Sequence, residues 1–247
     1  MGDKDPHRTG EYKMNRIVLI TGASSGYGKA MAKAFVDAGD TVIMTARNYE
    51  KLEAARTEVG GSVAISMDVT KSCEWDKMVK FIAEKYGKLD ILINNAGGGV
   101  TIKPVSEFSY DEIDQVIALN LNSAIYGCHA FAPMMVAAGT GTMINVSSVC
   151  ARQCWPTWGV YGAAKAGMLN FTKSLYLELQ PYGVRATCLI PASANTGFTD
   201  ACGIKAVPQK LKPEDVAETA LFIANLPQHA VVEDITVWGI DQQVNPL

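Results

Sequence analysis

The sequence predicts a single-domain α/β fold, in which about seven parallel strands form a doubly wound sheet with helices on both faces. Short apolar runs, many of them rich in β-branched residues, recur along the 247 residues, and segments with helical periodicity separate them. Runs that are apolar on both faces are typical of buried parallel strands. Strands that alternate with helices form right-handed βαβ units, which build a sheet of this kind. No linker rich in Gly, Pro or Ser divides the chain into a second domain.

The predicted elements follow one another in regular alternation. The predicted strands are 16–21, 41–46, 62–67, 89–94, 141–147, 184–190 and 233–238. The predicted helices are 26–39, 48–58, 71–86, 109–137, 159–181 and 213–225. Residues 1–14 are expected to form a disordered leader, and residues 15–247 the single domain.

Charge and hydropathy exclude several classes of protein. There are 22 basic and 25 acidic side chains, which leave a formal charge of -3, so no nucleic-acid partner is expected. No apolar run approaches the ~18 residues that a membrane helix needs. The first residues lack the apolar core of a signal peptide, so a cytoplasmic protein is expected. The six cysteines form no Cys-x-x-Cys pair, and no histidine lies at a spacing that completes a zinc pattern, so reduced thiols and no metal site are expected.

The first predicted strand runs directly into the glycine-rich segment TGASSGYG at 21–28, and a helix follows. The first glycine permits a tight turn, while the second and third allow the backbone to approach a pyrophosphate and the helix to pack on the sheet. The N–H groups at the start of that helix are expected to hold the phosphates. Because the loop lies between a strand and a helix, dinucleotide binding is favoured over a purely structural turn. The expected contacts are Gly22, Ser24, Ser25, Gly26, Tyr27 and Gly28.

The end of the second predicted strand indicates which dinucleotide is bound. NAD-binding proteins of this type carry an acidic residue about 20 positions beyond the glycines, where it binds the ribose hydroxyls. Here the corresponding positions hold Ala46 and Arg47. A guanidinium grips a 2′-phosphate through paired N–H donors, so this pair favours NADP(H) over NAD(H). The alternative is that Arg47 is a solvated arginine at the start of a helix.

The segment Tyr161-Gly-Ala-Ala-Lys165 places a phenol and an ammonium on one face of a helix, because residues i and i+4 are neighbours there. A nearby cation lowers a tyrosine pKa from about 10 toward neutrality, which suits a tyrosine that gives or takes a proton. Ser148 follows the fifth predicted strand, and a serine at the carboxyl end of a parallel strand can bond a substrate oxygen. The alternative is a chance tyrosine–lysine pair on an amphipathic helix, and the serine argues against it.

Taken together, these motifs resemble the short-chain dehydrogenase/reductase family over about residues 15–240, a likeness that implies a Rossmann-type fold. The order and spacing of the motifs carry the resemblance. The matching pieces are TGASSGYG at 21–28, Asp68-Val69, Asn94-Asn95-Ala96-Gly97, Asn120, Ser148, the segment from Tyr161 to Lys165, Pro191 and Thr196.

The resemblance implies how a cofactor is held beyond the glycine loop. Asp68 would bind the adenine amino group, and Asn95 and Ala96 would line the cofactor ribose. Lys165 would also bind the nicotinamide ribose, and Thr196 would contact the carboxamide. The full set of implied contacts is Arg47, Asp68, Val69, Asn95, Ala96, Gly97, Tyr161, Lys165, Pro191 and Thr196.

The resemblance also implies a catalytic group of Asn120, Ser148, Tyr161 and Lys165. Tyr161 would serve as the acid or base, Ser148 would orient the substrate oxygen, and Lys165 would tune Tyr161. Asn120 would hold a water in a proton relay to Lys165. Asn94 is expected to stabilise the sheet and not to touch a ligand.

The chain departs from the family pattern at two positions. Ala192 stands where a glycine usually follows the proline after the sixth strand, and Tyr27 replaces an aliphatic residue of the glycine loop. At Tyr27 the backbone is expected to matter more than the ring. Residues 192–210 have little helical periodicity and follow a strand end where ligands bind, so they are predicted to form a substrate lid anchored by Thr196.

The expected reaction is hydride transfer between NADP(H) and an alcohol or carbonyl compound, with a compact hydroxy compound, ketone or aldehyde as substrate. The alternatives are a steroid or 3-oxoacyl-carrier-protein reductase, and a non-catalytic cofactor sensor, which the complete catalytic group disfavours. Trp155 and Trp158 either line an apolar pocket or pack in the core. Arg152 either meets an acidic group of the substrate or is a surface arginine. Family members are commonly oligomeric, so a homotetramer or dimer built through 109–137 and 159–181 is expected.

Overall fold

A computed structural model describes residues 15–98, 102–194, 196 and 211–242. Over this part of the chain, seven strands form one parallel sheet in the order β3-β2-β1-β4-β5-β6-β7, which confirms the predicted doubly wound architecture. The strands are β1 Ile17–Thr21, β2 Thr41–Ala46, β3 Ser62–Ser66, β4 Ile91–Asn94, β5 Gly141–Val146, β6 Val184–Pro191 and β7 Asp234–Val237. The predicted leader 1–14 lies outside the described residues, as do 195 and 197–210 of the predicted lid.

Helices cover both faces of the sheet. In chain order they are α1 Gly26–Asp37, α2 Tyr49–Val59, α3 Ser72–Tyr86, α4 Tyr110–Ile117, α5 Ser123–Ala138, α6 Gly159–Leu179 and α7 Pro213–Ala224. Short 3₁₀ turns lie at Val105–Glu107, Val149–Ala151 and Gln180–Tyr182. Among the described helices, none is long and apolar enough to cross a membrane.

The predicted helix 109–137 is divided into α4 and α5. A π-helical turn, Ala118–Asn122, joins the two, and the Ser123 N–H reaches back to the Ala118 carbonyl. Such a turn inserts one extra residue into the helical repeat. The apolar periodicity on either side still reads as helical, so the sequence pattern did not reveal the interruption.

Alternate residues of β1, β2, β4 and β5 enter two separate cores. In β1, Val18 and Ile20 pack in the first core with Phe35 of α1, whereas Leu19 packs in the second with Phe131 of α5. All of these side chains are fully buried. These four strands are therefore buried on both faces, which explains why they are largely apolar and do not alternate with polar residues.

A buried ion pair closes the end of the sheet opposite the strand carboxyl ends. Arg16 precedes β1, and its guanidinium lies 2.7 Å from the Asp40 carboxylate, which follows α1 and is fully buried. A second nitrogen of Arg16 bonds the other Asp40 oxygen at 3.0 Å, and a third bonds Asn225 at 2.8 Å. Arg16 thus links β1 to the segments that follow α1 and α7.

The strand order reverses between β1 and β4, because the chain moves outward from β1 to β3 and then returns to the other side of β1. In sheets of this kind a crevice opens at that point, outside the strand carboxyl ends, and ligands bind in it. The segments that follow β1, β4, β5 and β6 meet there. They contain the glycine loop, Asn95, Ser148 and Ala192 respectively.

Candidate active site

The glycine loop joins β1 to α1 in a conformation that side chains would block. Gly22 and Gly26 have φ values of 66° and 53°, in the left-handed region that favours glycine. A methyl group on Gly22 would lie 2.8 Å from the Ala96 Cα, and one on Gly28 would lie 2.4 Å from the Gly22 carbonyl oxygen. Gly22 and Gly28 are therefore required by the close approach of the loop, the first turn of α1 and the segment after β4, and Gly26 by its backbone conformation.

The start of α1 has the properties of an anion-binding site. Within the described residues, the Ser25 side chain at the N-cap makes no capping hydrogen bond, and the first turn contains no acidic residue. The first N–H groups of a helix have no partner inside the helix and carry the positive end of its dipole. With Ser24 and Ser25 beside them, these groups suit phosphate oxygens.

Thr21 and Asn95 lock the segment after β4 onto the glycine loop. The Thr21 hydroxyl accepts hydrogen bonds from the N–H groups of Asn95 and Ala96, both at 3.0 Å. The Asn95 amide donates to the carbonyls of Thr21 at 2.8 Å and Gly22 at 3.2 Å. Sequence analysis assigned Thr21 no role, although its place at the end of β1, directly before Gly22, was a usable signal.

The neighbouring Asn94 points away from this crevice. Its side-chain amide donates to Asn145 at 2.9 Å, and the Asn145 amide donates to the Thr172 hydroxyl at 3.0 Å. All three residues are buried. Asn94 therefore joins β4 to β5 and α6, in the sheet-stabilising role expected for it.

At the β2 end of the crevice, Arg47 and Asp68 lie close enough to interact. Arg47 is exposed, directly after β2. Burial acts to raise the pKa of Asp68, but hydrogen bonds from Thr70 and the positive charges of Arg47 and Lys71 outweigh it, and the net pKa is lowered. The Asp68 carboxylate is therefore ionised at neutral pH beside an exposed guanidinium. Val69 is buried in the second core, so only its backbone can face a ligand.

Asn120 lies in the π-helical turn and is fully buried. Its side-chain oxygen Oδ1 accepts from the Gly98 N–H at 2.8 Å, and its side-chain Nδ2 donates to the carbonyls of Gly98 and Val116, both at 3.0 Å. The side chain thus ties the segment after β4 to the π turn. A methyl group on Gly97 would lie 3.0 Å from this Asn120 oxygen and 3.3 Å from Lys165 Nζ, so both side chains approach the same point.

Tyr161 and Lys165 lie one turn apart on α6, and both are buried. Lys165 Nζ is 5.7 Å from the centre of the Tyr161 ring and donates to the Val146 carbonyl at 3.0 Å. Burial lowers the pKa of Lys165 from its ordinary 10.5 to about 8. The Ser147 hydroxyl holds the backbone of this turn through a 2.8 Å bond to the Lys165 carbonyl, a contact that sequence analysis missed.

Ser148 follows β5, and its hydroxyl accepts from the Cys150 N–H at 3.2 Å. Cys150 packs in a small apolar cluster that contains Tyr161 and Trp158. The Trp158 and Tyr161 rings meet edge to face, with centres 5.7 Å apart. Ser148 is therefore joined through Cys150 to the cluster that contains Tyr161. Trp155 packs against the first core instead.

Arg152 points away from the cluster and toward β7. Its guanidinium forms an ion pair with Asp234 and donates to the Thr236 hydroxyl at 3.0 Å. This placement favours the interpretation of Arg152 as a surface arginine, because its N–H groups are directed at the sheet edge.

Tyr27 makes a contact that sequence analysis did not anticipate. Its phenol donates a 2.7 Å hydrogen bond to the carbonyl of Ala192, directly after Pro191 at the end of β6. Burial raises the pKa of this phenol well above its ordinary value. A methyl group on Gly26 would lie 3.2 Å from Cβ of Thr196, so the segment after β6 approaches the glycine loop twice.

Comparison with known proteins identifies a family whose sequences match this chain. A family model described as short chain dehydrogenase matches residues 16–205. An uncharacterized oxidoreductase of Staphylococcus aureus is 32% identical over 225 residues, which cover 90% of this chain and 96% of the relative.

Two solved structures carry different cofactors. The closed form of serine dehydrogenase complexed with NADP+ is 27% identical, with a TM-score of 0.86 over 94% of this chain and 98% of that one. The 3-ketoacyl-(acyl-carrier-protein) reductase of Brucella melitensis complexed with NADH is 29% identical, with a TM-score of 0.83 over 91% of this chain and 97% of that one.

Proposed function

Since the chain belongs to the short-chain dehydrogenase family and is an oxidoreductase of that family, we propose that it interconverts an alcohol and a carbonyl compound with NADP(H). The observation that carries this proposal is the buried pair of Tyr161 and Lys165, in which Tyr161 packs in the same apolar cluster as Cys150, the hydrogen-bond partner of Ser148. Buried titratable groups gathered at a crevice are typical of catalytic sites.

In the proposed mechanism, side chains of this protein donate the proton and stabilise the charge that develops. When bound, the cofactor supplies a hydride to the carbonyl carbon. Tyr161 donates its phenolic proton to the carbonyl oxygen, and Ser148 bonds the same oxygen as negative charge develops on it. With a pKa of about 8, Lys165 is mostly charged at neutral pH, and a cation beside a phenol favours the phenolate that remains.

The proposed relay passes through the π turn and not through the Asn120 amide. Both polar atoms of that amide already bond protein groups. A relay water near Lys165 therefore binds backbone carbonyls of the turn, and Asn120 keeps the turn and the Gly98 backbone in register. π turns are frequent at functional sites.

The cofactor preference rests on the two ends of the glycine-loop crevice. The α1 N-terminus, with Ser24 and Ser25, accepts the pyrophosphate, and the exposed Arg47 accepts the 2′-phosphate. The neighbour that binds NADP+ agrees with this preference, whereas the reductase complexed with NADH represents the alternative. The ratio of kcat/KM with NADPH to that with NADH distinguishes the two.

The proposed substrate is a compact ketone or aldehyde, or the corresponding alcohol. Trp158, Cys150 and Phe108 surround Tyr161 with apolar surface, and such surface suits the uncharged part of a carbonyl compound. A 3-oxoacyl thioester is the second candidate, and the similarity to the Brucella melitensis reductase favours it.

We also propose that the protein is a cytoplasmic homo-oligomer, a tetramer or dimer built through α4, α5 and α6. Among the described residues, α6 exposes Leu177, which is 62% accessible. The cysteines Cys73, Cys128, Cys150, Cys154 and Cys188 are free thiols, as is usual in reducing compartments. Light scattering of the purified protein measures the oligomeric state, and cell fractionation the location.

The deciding experiment is the oxidation of NADPH by the purified protein, followed by absorbance, with a panel of ketones, aldehydes and 3-oxoacyl thioesters. Tyr161→Phe keeps the ring but removes the proton donor, so turnover is expected to fall by roughly 100-fold or more while NADPH still binds. Tyr86→Phe, at the end of α3, is the matched control. A Tyr161→Phe variant with native kcat, or a native protein that turns over no member of the panel, would contradict the proposal.

A further inference from the structure

The two positions at which the chain departs from its family pattern touch each other. Tyr27 lies in the first turn of α1, and Ala192 follows β6, yet the Tyr27 hydroxyl donates a 2.7 Å bond to the Ala192 carbonyl across 165 residues of sequence. The Tyr27 ring packs against the first core, which fixes where the hydroxyl lies. An aliphatic residue at position 27 has no donor to make this contact.

The backbone around Ala192 is held from the other side as well. The Ala192 N–H donates to the Val237 carbonyl of β7 at 2.9 Å, and the Gln242 amide donates to the Ser193 carbonyl at 2.6 Å. The Tyr27 bond is the one described hydrogen bond that ties these two residues to the glycine loop, because the other two lead toward the C-terminal end of the chain.

We propose that Tyr27 is a positioning residue, whose phenol holds the backbone at Ala192 at a set distance from the glycine loop. The inference rests on the proposed cofactor site, in which the α1 N-terminus holds the phosphates and the segment that contains Thr196 meets the nicotinamide. The Tyr27 bond then couples the phosphate end of the site to the nicotinamide end. It is independent of Arg47, which lies at the adenosine end.

This role predicts a specific pattern of ligand affinities for Tyr27→Phe, which removes only the hydroxyl. The affinity for NADPH is expected to fall by about fivefold, the usual effect of losing one neutral hydrogen bond. Adenosine 2′,5′-bisphosphate carries the adenosine end of the cofactor without the nicotinamide, so its affinity is expected to stay within about twofold of the native value. Calorimetry with both ligands on the native protein, Tyr27→Phe and the control Tyr86→Phe measures this pattern.

Amide hydrogen exchange of the ligand-free protein tests the hydrogen bond between Tyr27 and Ala192 without any cofactor. Peptides that end at Ala194 are expected to exchange several-fold faster in Tyr27→Phe than in the native protein, because the backbone of Ala192 and Ser193 loses one of the three hydrogen bonds described above. The Tyr86→Phe control is expected to exchange at the native rate.

The outcomes separate the positioning role from the proposed function. Equal loss of affinity for both ligands indicates damage to the glycine loop and overturns the inference, as does unchanged exchange at Ala192. A native protein that binds neither ligand refutes the proposed cofactor site, whereas the exchange measurement still decides whether Tyr27 holds this backbone.

Discussion

Replacing the buried Lys165 with methionine is expected to stabilise the ligand-free protein while it impairs function. Burial moves the pKa of this lysine from 10.5 to about 8, which corresponds to about 3 kcal/mol at neutral pH, at about 1.4 kcal/mol for each pH unit. The variant loses the 3.0 Å bond to the Val146 carbonyl, a cost of about 1 kcal/mol. The net expectation at pH 7 is a gain of about 2 kcal/mol in the free energy of unfolding.

The stability difference between the two proteins depends on pH, and its direction follows from the lowered lysine pKa. Because folding depresses the lysine pKa, the unfolded chain binds more protons than the folded one between pH 8 and 10.5. The native protein therefore gains stability relative to the methionine variant as the pH rises through that window. Near pH 10 the penalty in the native protein falls below about 1 kcal/mol, so the advantage of the variant disappears.

Urea unfolding of both proteins at pH 7 and pH 10, without cofactor and at one protein concentration, measures the difference. Lys80→Met is the matched control, because the Lys80 side chain on α3 is 77% exposed and its loss should have little effect at either pH. NADPH affinity and turnover of Lys165→Met are both expected to fall, since the ammonium is assigned two functions. A methionine variant that is less stable than the native protein at both pH values would refute the argument from burial.

Three further predictions follow from other parts of the structure. Arg47→Ala should weaken NADPH binding far more than NADH binding, and equal kcat/KM values for the two cofactors in the native enzyme would contradict this assignment. Gly28→Ala should lower NADPH affinity at least about tenfold, because its methyl group would lie 2.4 Å from a loop carbonyl oxygen. Gly159→Ala is the control in the same titration, because its methyl group would meet no atom within 4 Å. Arg16→Met leaves the Asp40 carboxylate buried without its guanidinium, so urea unfolding should show that the free energy of unfolding falls by about 3 kcal/mol. A fall of less than about 1 kcal/mol would mean that the ion pair is solvated.

Local patterns predicted the fold and the order of the motifs well. β5 is buried along its whole length, so its apolar run was readable without tertiary information. The positions of Gly22, Gly26 and Gly28 followed from what a tight strand-to-helix turn demands. Tyr161 and Lys165 share a helix face because their spacing is one helical turn. In each case the relevant geometry lies within one element or one turn, and the spacing of residues along the chain determines it.

These local patterns did not predict contacts between segments that are distant in sequence. The direction of Arg152 depends on Asp234, which is 82 residues away, and the contact of Tyr27 depends on Ala192, which is 165 residues away. The π turn that holds Asn120 interrupts a helix whose apolar periodicity continues on both sides.

The sequence by itself determined the class of fold and the glycine loop, because short-range spacing and backbone sterics specify them. Spacing also nominated Tyr161 and Lys165, whereas Asn120 was nominated only by the family resemblance. Only the tertiary structure decided that Lys165 is buried deeply enough to have a lowered pKa and that Arg152 is engaged by β7. It also decided that the Tyr27 phenol reaches the end of β6. The physical reason is that burial and long-range hydrogen bonds arise where the carboxyl ends of β1, β4, β5 and β6 converge, and that convergence is a property of the packed sheet.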